Sequence, residues 1–179
     1  MTILLWQKAA SFAARAHRHQ FRRDGVTPYA AHPTRVAMIV ASEFGVTDEI
    51  ILAAAYLHDV IEDCDVDYDD VHVQFGIEVA DMVACLSKDT RMIEPDREKA
   101  YHEQLAHGSW QVRLIKLADV YDNLMDAEGE ASKKKLLNTV QKALELAAGE
   151  PGVSELEKAS KIVSDQAALV EESLKSFGS

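Results

Sequence analysis

The chain has 179 residues, 47% of them apolar, and its 30 acidic side chains outnumber the 19 basic ones, for a formal net charge of -11. This length is ample for one domain with a buried core, and we predict a single domain over residues 1–179. A charge of this sign opposes binding to nucleic acid or to an anionic membrane, and no apolar run approaches a membrane span, so we expect neither partner. Cys64 and Cys85 lack CxxC spacing, which indicates a reducing compartment and a cytoplasmic protein.

Apolar residues recur at intervals of three and four, and few glycines or prolines interrupt them, a pattern typical of helices. The sequence therefore predicts an all-α bundle of about eight to ten helices. The predicted ranges are 3–19, 33–44, 71–75, 77–86, 96–107, 111–127, 133–148 and 154–177. One more helix is predicted to begin at residue 47 and to run into the stretch at 53–63.

The stretch AAAYLHDVIED, residues 53–63, places an adjacent His58 and Asp59 directly after an apolar run. If it is helical, His58 and Glu62 stack at i and i+4, as do Asp59 and Asp63. An imidazole beside carboxylates suits a divalent metal ion, although two adjacent residues do not complete a site. A local hydrogen bond between the two side chains is the alternative interpretation.

Three further features carry chemistry. Six basic residues lie within residues 15–23 before Gly25, either as a solvated helix end or as a patch for a polyanion. His32 precedes Pro33, so we predict that it lies just before the second helix. Asp119 lies in an apolar helix with Asn123 four residues later, and a carboxylate there must be paired, hydrogen-bonded or bound to a metal.

The acidic segment CDVDYDD, residues 64–70, lacks the central glycine and final glutamate of an EF-hand calcium loop. We therefore interpret it as an acidic turn that caps the next helix.

His32 in YAAHP, His58 and Asp59 in LHDVIED, and Asp119 in KLADVYDN together resemble the H…HD…D pattern of the HD-domain metal phosphohydrolases. The segments AARAH, RRDGVTPYAAHP, AAYLHDVIEDC, FGIEVADMV and VRLIKLADVYDNL follow the order of that family. The resemblance is closest to the (p)ppGpp hydrolase domains of the RelA/SpoT type and to the small stand-alone alarmone hydrolases. It covers residues 5–126 and leaves residues 127–179 as a C-terminal helical extension.

The resemblance implies hydrolysis of the 3′-pyrophosphate of guanosine tetra- or pentaphosphate, giving GDP or GTP and pyrophosphate. It implies Glu62 and Asp63 as the catalytic residues, which would orient or deprotonate the attacking water. The implied ligands of one Mn²⁺ ion are His32, His58, Asp59 and Asp119. The implied or candidate substrate-binding residues are Arg22, Arg23, Lys88, Arg91, Lys99, Lys116 and Asn123.

Two positions depart from the family pattern. The family usually has Lys or Arg directly after the last metal-binding aspartate and an aromatic residue or histidine directly before the asparagine, where this chain has Val120 and Asp122. Losing a cation and gaining an anion near the substrate favours, as an alternative, an HD phosphohydrolase for another nucleotide or phosphoester. A nucleotide-binding module without turnover is a further alternative, and the C-terminal helices leave a homo-oligomer open.

Overall fold

The computed structural model describes residues 3–176, and within that range the backbone forms ten α-helices and no β-strand. The predicted all-α bundle is therefore confirmed, and Phe177, the predicted end of the last helix, lies outside the described range. The helices are α1 (Leu5–Ala16), α2 (Ala31–Met38), α3 (Glu49–Leu57), α4 (Val60–Asp63), α5 (Tyr68–Phe75), α6 (Ile77–Leu86), α7 (Asp96–His107), α8 (Trp110–Met125), α9 (Glu130–Ala148) and α10 (Ser154–Ser176).

Several helix ends are set by local chemistry that the sequence reveals. Helices α6 and α7 have the predicted bounds. Helix α3 begins at Glu49 rather than at the predicted residue 47, because the Asp48 carboxylate caps it by accepting hydrogen bonds from the backbone N–H groups of Ile50 and Ile51 at 2.9 and 3.1 Å. The acidic turn at residues 64–70 caps α5 as predicted, since Asp67 accepts from the Asp70 N–H at 2.9 Å.

Helix α2 continues into a π-helical segment, Ile39–Glu43, and the chain turns away at Gly45. In this segment the Phe44 N–H donates to the Ile39 carbonyl, five residues earlier, at 3.0 Å. Gly45 has φ of +80°, which a residue with a Cβ rarely adopts, so a glycine is required where the helix ends.

Two helices form the centre of the bundle. Helix α3 packs against α1, α2 and α6, and its Ala53, Ala54 and Ala55 are fully buried, which lets neighbouring backbones approach closely. Helix α8 packs against α2, α6, α9 and α10. The extension of residues 127–179 is therefore part of the packed bundle as far as it is described, and α9 and α10 bury Val140, Ala143 and Val163 against the core.

Candidate metal centre and active site

The chain changes direction at His58 and Asp59. Helix α3 ends at Leu57, the two residues form a turn, and α4 begins at Val60, so the predicted continuous helix is wrong at this point. In a continuous helix, adjacent side chains point about 100° apart, since each turn takes about 3.6 residues. The turn instead brings the His58 Nε2 atom within 3.1 Å of the Asp59 Oδ2 atom.

His32 lies inside the first turn of α2 rather than just before it. The helix begins at Ala31, and the His32 N–H donates to the Tyr29 carbonyl at 2.9 Å. Pro33 does not prevent this, because backbone N–H groups in the first turn of a helix have no intrahelical partner to lose. The prediction that His32 precedes the helix is therefore wrong, and its imidazole is buried, with 1% exposed.

Side chains from three parts of the chain converge at one point. The His32 Nε2 atom lies 3.2 Å from His58 Nε2, 3.5 Å from Asp59 Oδ2 and 3.3 Å from Asp119 Oδ1. The His58 Nε2 atom is 3.9 Å from Asp119 Oδ1. Ligand atoms bound at about 2.0–2.2 Å to one ion lie roughly 3–3.5 Å apart when they are neighbours in its coordination shell. The ligand atoms of His32, His58 and Asp59 all lie within 4.8 Å of one another, a spacing that suits one divalent cation, and Asp119 Oδ1 lies beside the two imidazoles.

The electrostatics of this cluster favour a bound cation. Burial by itself lowers the pKa of the His32 imidazole, but hydrogen bonds to Asp119, Asp122 and Asp59 outweigh it and raise that pKa to about 11. Burial likewise opposes a charge on His58, yet the Asp59 carboxylate raises the pKa of His58. The buried carboxylates therefore attract positive charge to the point where the imidazole Nε2 atoms meet, and a divalent ion can supply it in place of protons.

Asp119 is held by two neighbours on its own helix. Its Oδ2 atom lies 2.7 Å from the Lys116 Nζ atom, and its Oδ1 accepts a hydrogen bond from Asn123 Nδ2 at 2.6 Å. Burial by itself raises the pKa of the Asp119 carboxyl, but the adjacent Lys116 ammonium and the imidazoles hold it well below its usual range. The prediction that a carboxylate in this apolar helix must be paired is confirmed.

The two candidate catalytic carboxylates lie beside this cluster and are fixed by hydrogen bonds. Glu62 accepts the backbone N–H of Lys88 at 2.8 Å. The Tyr29 hydroxyl lies 2.7 Å from Asp59 Oδ2 and 3.0 Å from Asp63 Oδ2, so it can donate to either carboxylate. Partial loss of solvent and the nearby Asp59 carboxylate raise the pKa of the half-buried Glu62 and of the more exposed Asp63, which makes each a stronger base than a solvated carboxylate. Sequence reasoning missed Tyr29, although its position three residues before His32 was a usable signal.

The predicted substrate lysines share a cavity next to the cluster. Lys88, Lys99 and Lys116 line a space of about 590 Å³. The ammonium groups of Lys88 and Lys116 lie 5.2 and 5.3 Å from the centre of the buried Tyr101 ring, within the range of cation–π attraction. Because Lys116 also contacts Asp119, the cavity adjoins the candidate metal ligands.

The other predicted substrate residues lie elsewhere. The Arg22 guanidinium pairs with Asp126 at 2.9 Å and donates to the Asn123 side-chain oxygen at 2.9 Å. Arg23 lines a smaller space of about 280 Å³ beside Arg22. Arg91 pairs with its neighbour Asp89 at 2.8 Å, and its side chain is 89% exposed. The predicted basic residues thus fall in three places rather than in one patch.

The two departures from the family pattern are buried. Val120 is 1% exposed and Asp122 is 3% exposed. The Asp122 carboxylate contacts His32 Nδ1 at 2.7 Å and accepts two hydrogen bonds from Arg35, at 2.6 and 3.0 Å. The Asp122 charge therefore contacts the imidazole of a candidate metal ligand. Sequence reasoning missed Arg35, which lies three residues after His32 on the same helix.

The part of the chain between residues 3 and 176 has no helix with both the length and the apolar content needed to cross a lipid bilayer. Cys64 and Cys85 are both free thiols.

The helical bundle brings His32, His58, Asp59 and Asp119 close together. Residues 9–147 match the HD domain family, and this chain belongs to that family. The chain is 43% identical over 120 residues to human guanosine-3′,5′-bis(diphosphate) 3′-pyrophosphohydrolase MESH1, covering 66% of this chain and 67% of the relative. It is 41% identical over 115 residues to the Vibrio cholerae guanosine-3′,5′-bis(diphosphate) 3′-pyrophosphohydrolase, covering 61% of this chain and 16% of that protein. The resemblance found in the sequence is confirmed.

Two solved structures share this fold. A structure described as that of a metazoan ortholog of SpoT that hydrolyses ppGpp superimposes with a TM-score of 0.77 at 29% identity, covering 93% of this chain and 97% of the other. A Listeria monocytogenes protein shares the fold with a TM-score of 0.59 at 24% identity, covering 79% and 96% of the two chains. The family match to residue 147 extends beyond the predicted core of residues 5–126 and includes most of α9.

Proposed function

We propose that this protein is a metal-dependent phosphohydrolase that removes the 3′-pyrophosphate of guanosine tetra- or pentaphosphate, giving GDP or GTP and pyrophosphate. The observation that carries the proposal is the close approach of ligand atoms from His32, His58, Asp59 and Asp119, beside the half-buried Glu62 and the more exposed Asp63. The curated relatives and the 29%-identical structure, whose names state this activity or its substrate, support the same reaction.

In this proposal the four side chains hold one Mn²⁺ ion. When bound, the ion would lower the pKa of a water molecule and neutralise charge on a phosphate oxygen. The mixed nitrogen and oxygen ligand set supports an ion of this borderline-to-hard class, and the family resemblance supports manganese within it.

Glu62 and Asp63 would orient the attacking water and accept its proton. Their raised pKa values favour proton acceptance, while the Lys88 N–H and the Tyr29 hydroxyl restrict the directions of their oxygens. Water attacks the phosphorus joined to the 3′ oxygen, and the bond from that phosphorus to the 3′ oxygen breaks. The 3′ oxygen leaves with the electron pair and takes up a proton, while the two phosphoryl groups leave as pyrophosphate.

The lysine-lined cavity beside Asp119 is the proposed place for the substrate phosphates. Lys88 and Lys99 supply cations in a chain whose formal charge is -11, so they localise the attraction for a small polyanionic nucleotide. Asn123, one turn after Asp119 on α8, donates to Asp119 and accepts from Arg22, and Arg23 and Arg91 remain predicted contacts.

We also propose a cytoplasmic location and one domain over the whole sequence. The two free thiols support a reducing compartment, and the packing of α9 and α10 on α8 supports a single domain. Association of two copies through the C-terminal helices stays a prediction, tested by the molar mass in solution.

The first test is pyrophosphate release from ppGpp in the presence of Mn²⁺. We expect turnover by the native chain and a loss of about 100-fold or more for Asp59→Ala and Glu62→Ala, because one removes a metal ligand and the other a water-handling base. Glu78→Ala, an exposed acidic residue in the first turn of α6, is the matched control and should keep native activity.

Other outcomes would contradict the proposal in distinct ways. A native chain that binds Mn²⁺ but releases pyrophosphate only from another nucleotide would establish the alternative substrate. A chain that binds both Mn²⁺ and ppGpp without turnover over long incubation would identify a binding module.

A further inference from the structure

One buried carboxylate faces the back of a candidate metal ligand. The Asp122 Oδ2 atom lies 2.7 Å from His32 Nδ1, on the side of the ring away from the other ligand atoms, and both residues are buried. A neutral imidazole carries its proton on one nitrogen only. A carboxylate next to Nδ1 selects the form with the proton there, which leaves the lone pair on Nε2 free for a metal ion.

His58, the second candidate histidine ligand, also has a hydrogen-bond acceptor at Nδ1, but of a different kind. The His58 Nδ1 atom lies 2.8 Å from the Ala55 carbonyl oxygen, and its Nε2 faces Asp59. The acceptor for His58 is a backbone carbonyl three residues earlier in the chain. The acceptor for His32 is a side chain from α8, ninety positions later in the sequence. The orientation of His32 therefore depends on how α2 and α8 pack and on what holds Asp122.

Arg35 holds Asp122. Its Nε donates to Asp122 Oδ1 at 2.6 Å, and its Nη2 donates to Oδ2 at 3.0 Å, so the guanidinium engages both oxygens. Arg35 lies one helical turn after His32 on α2, which lets two side chains of one helix grip the same carboxylate. A buried carboxylate without a cation would be costly, and Arg35 supplies that cation.

The contacts continue from Arg35 back to the metal ligands. Together they form a closed network that joins α2, α8 and the connector between α1 and α2. Arg35 pairs with Asp126 at 3.3 Å, and Asp126 pairs with Arg22 at 2.9 Å. Arg22 donates to Asn123 at 2.9 Å, and Asn123 donates to Asp119 at 2.6 Å. Because Asp119 Oδ1 lies 3.3 Å from His32 Nε2, two of the four ligands are held by one network.

We propose that Asp122 and Arg35 act as a pair of positioning residues that hold His32 with its Nε2 directed at the metal ion. This inference rests on the metal site of the proposed function. It assigns a role to Asp122, one of the two departures from the family pattern, and to Arg35, which that pattern does not single out. Neither residue binds the ion, so both act through His32.

The test is the dissociation constant for Mn²⁺, measured by titration calorimetry on the full chain without nucleotide. Loss of a hydrogen-bond partner behind a metal-binding histidine typically weakens metal binding about 10- to 100-fold, and we expect Asp122→Ala to fall in that range. Asp122→Asn should lose less, because its amide oxygen can still accept from Nδ1. Arg35→Ala should weaken binding in the same direction, and adding it to Asp122→Ala should cause little further loss.

Arg113→Ala is the matched control. Arg113 is on α8 and forms a part-buried ion pair with Glu150 at 2.7 Å, away from the network, so its removal should leave the Mn²⁺ dissociation constant unchanged. Thermal unfolding in EDTA identifies any variant that fails to fold, and if Asp122→Ala does so, Arg35→Ala carries the comparison because its side chain is 38% exposed.

The inference is overturned if folded Asp122→Ala, or folded Arg35→Ala where the Asp122→Ala variant does not fold, binds Mn²⁺ as tightly as the native chain. It is also overturned if the losses from Asp122→Ala and Arg35→Ala simply multiply in the double variant. A native chain that binds no Mn²⁺ refutes this inference together with the metal site. A native chain that binds Mn²⁺ but does not hydrolyse ppGpp refutes only the substrate assignment, because the affinity comparison does not use activity.

Discussion

Because Lys116 pairs with the buried Asp119, its removal should cost more unfolding free energy than removal of Lys88 from the same cavity. The Lys116 Nζ and Asp119 Oδ2 atoms are 2.7 Å apart, and their side chains are only 17% and 11% exposed. At that distance the Coulomb attraction is about 6 kcal/mol for an effective dielectric constant of about 20. Removing one member of such a pair leaves an uncompensated buried charge, which typically costs about 3–5 kcal/mol.

We therefore expect Lys116→Met to lower the free energy of unfolding by about 3 kcal/mol in EDTA, near the lower end of that range because Asn123 and His32 still contact Asp119. Urea unfolding at pH 7 measures this quantity. Adding Mn²⁺ should reduce the difference in unfolding free energy between Lys116→Met and the native chain, since the ion then compensates the Asp119 charge.

Lys88→Met is the matched control for this variant. Lys88 also lies against the Tyr101 ring, but it pairs with Glu98, whose side chain is 46% exposed, so the pair is worth about 1 kcal/mol or less. Equal losses for Lys116→Met and Lys88→Met would refute the reasoning, because they would show that burial of the Asp119 carboxylate adds no cost.

Three further predictions test other parts of the structure. Tyr29→Phe removes the hydroxyl that contacts Asp59 and Asp63, so calorimetry should show about tenfold weaker Mn²⁺ binding. Leu117→Ala removes a fully buried side chain and should cost about 3 kcal/mol in urea unfolding, against about 0.5 kcal/mol or less for Leu169→Ala, whose side chain is 58% exposed. Burial and the nearby carboxylates raise the pKa of the Cys64 thiol to about 11, so iodoacetamide at pH 8 should alkylate it about 100-fold more slowly than a thiol of pKa 9.0, and faster as the pH rises towards 11.

Each of these predictions has a clear contrary result. Native Mn²⁺ affinity in Tyr29→Phe would show that the hydroxyl does not support Asp59. Equal losses for the two leucine variants would contradict the burial of Leu117. Alkylation of Cys64 at the rate of a solvated thiol would contradict its raised pKa.

Much of the fold follows from local sequence patterns. Helix α7 has its predicted bounds, and Pro95 at its N-terminal cap acts there through its own fixed φ. Asp67 caps α5 for a similarly local reason. His32, His58, Asp59 and Asp119 are recognisable as candidate ligands because their spacing and flanking residues resemble a family.

Local patterns cannot reveal contacts between distant residues. The turn at His58 and Asp59 interrupts a stretch with helical periodicity, and nothing in that periodicity marks the break. Periodicity identifies the buried face of a helix but not its neighbour on that face.

The sequence alone therefore determined the helical class, the presence of most helices, the bounds of α6 and α7, and the identity of the candidate ligands. Only the tertiary structure decided that Asp122 faces His32 and Arg35 rather than a substrate, and that Lys116 pairs with Asp119. The physical reason is that α2 and α8 come together through packing across ninety positions of sequence, and that packing directs each buried charge to the partner that compensates it.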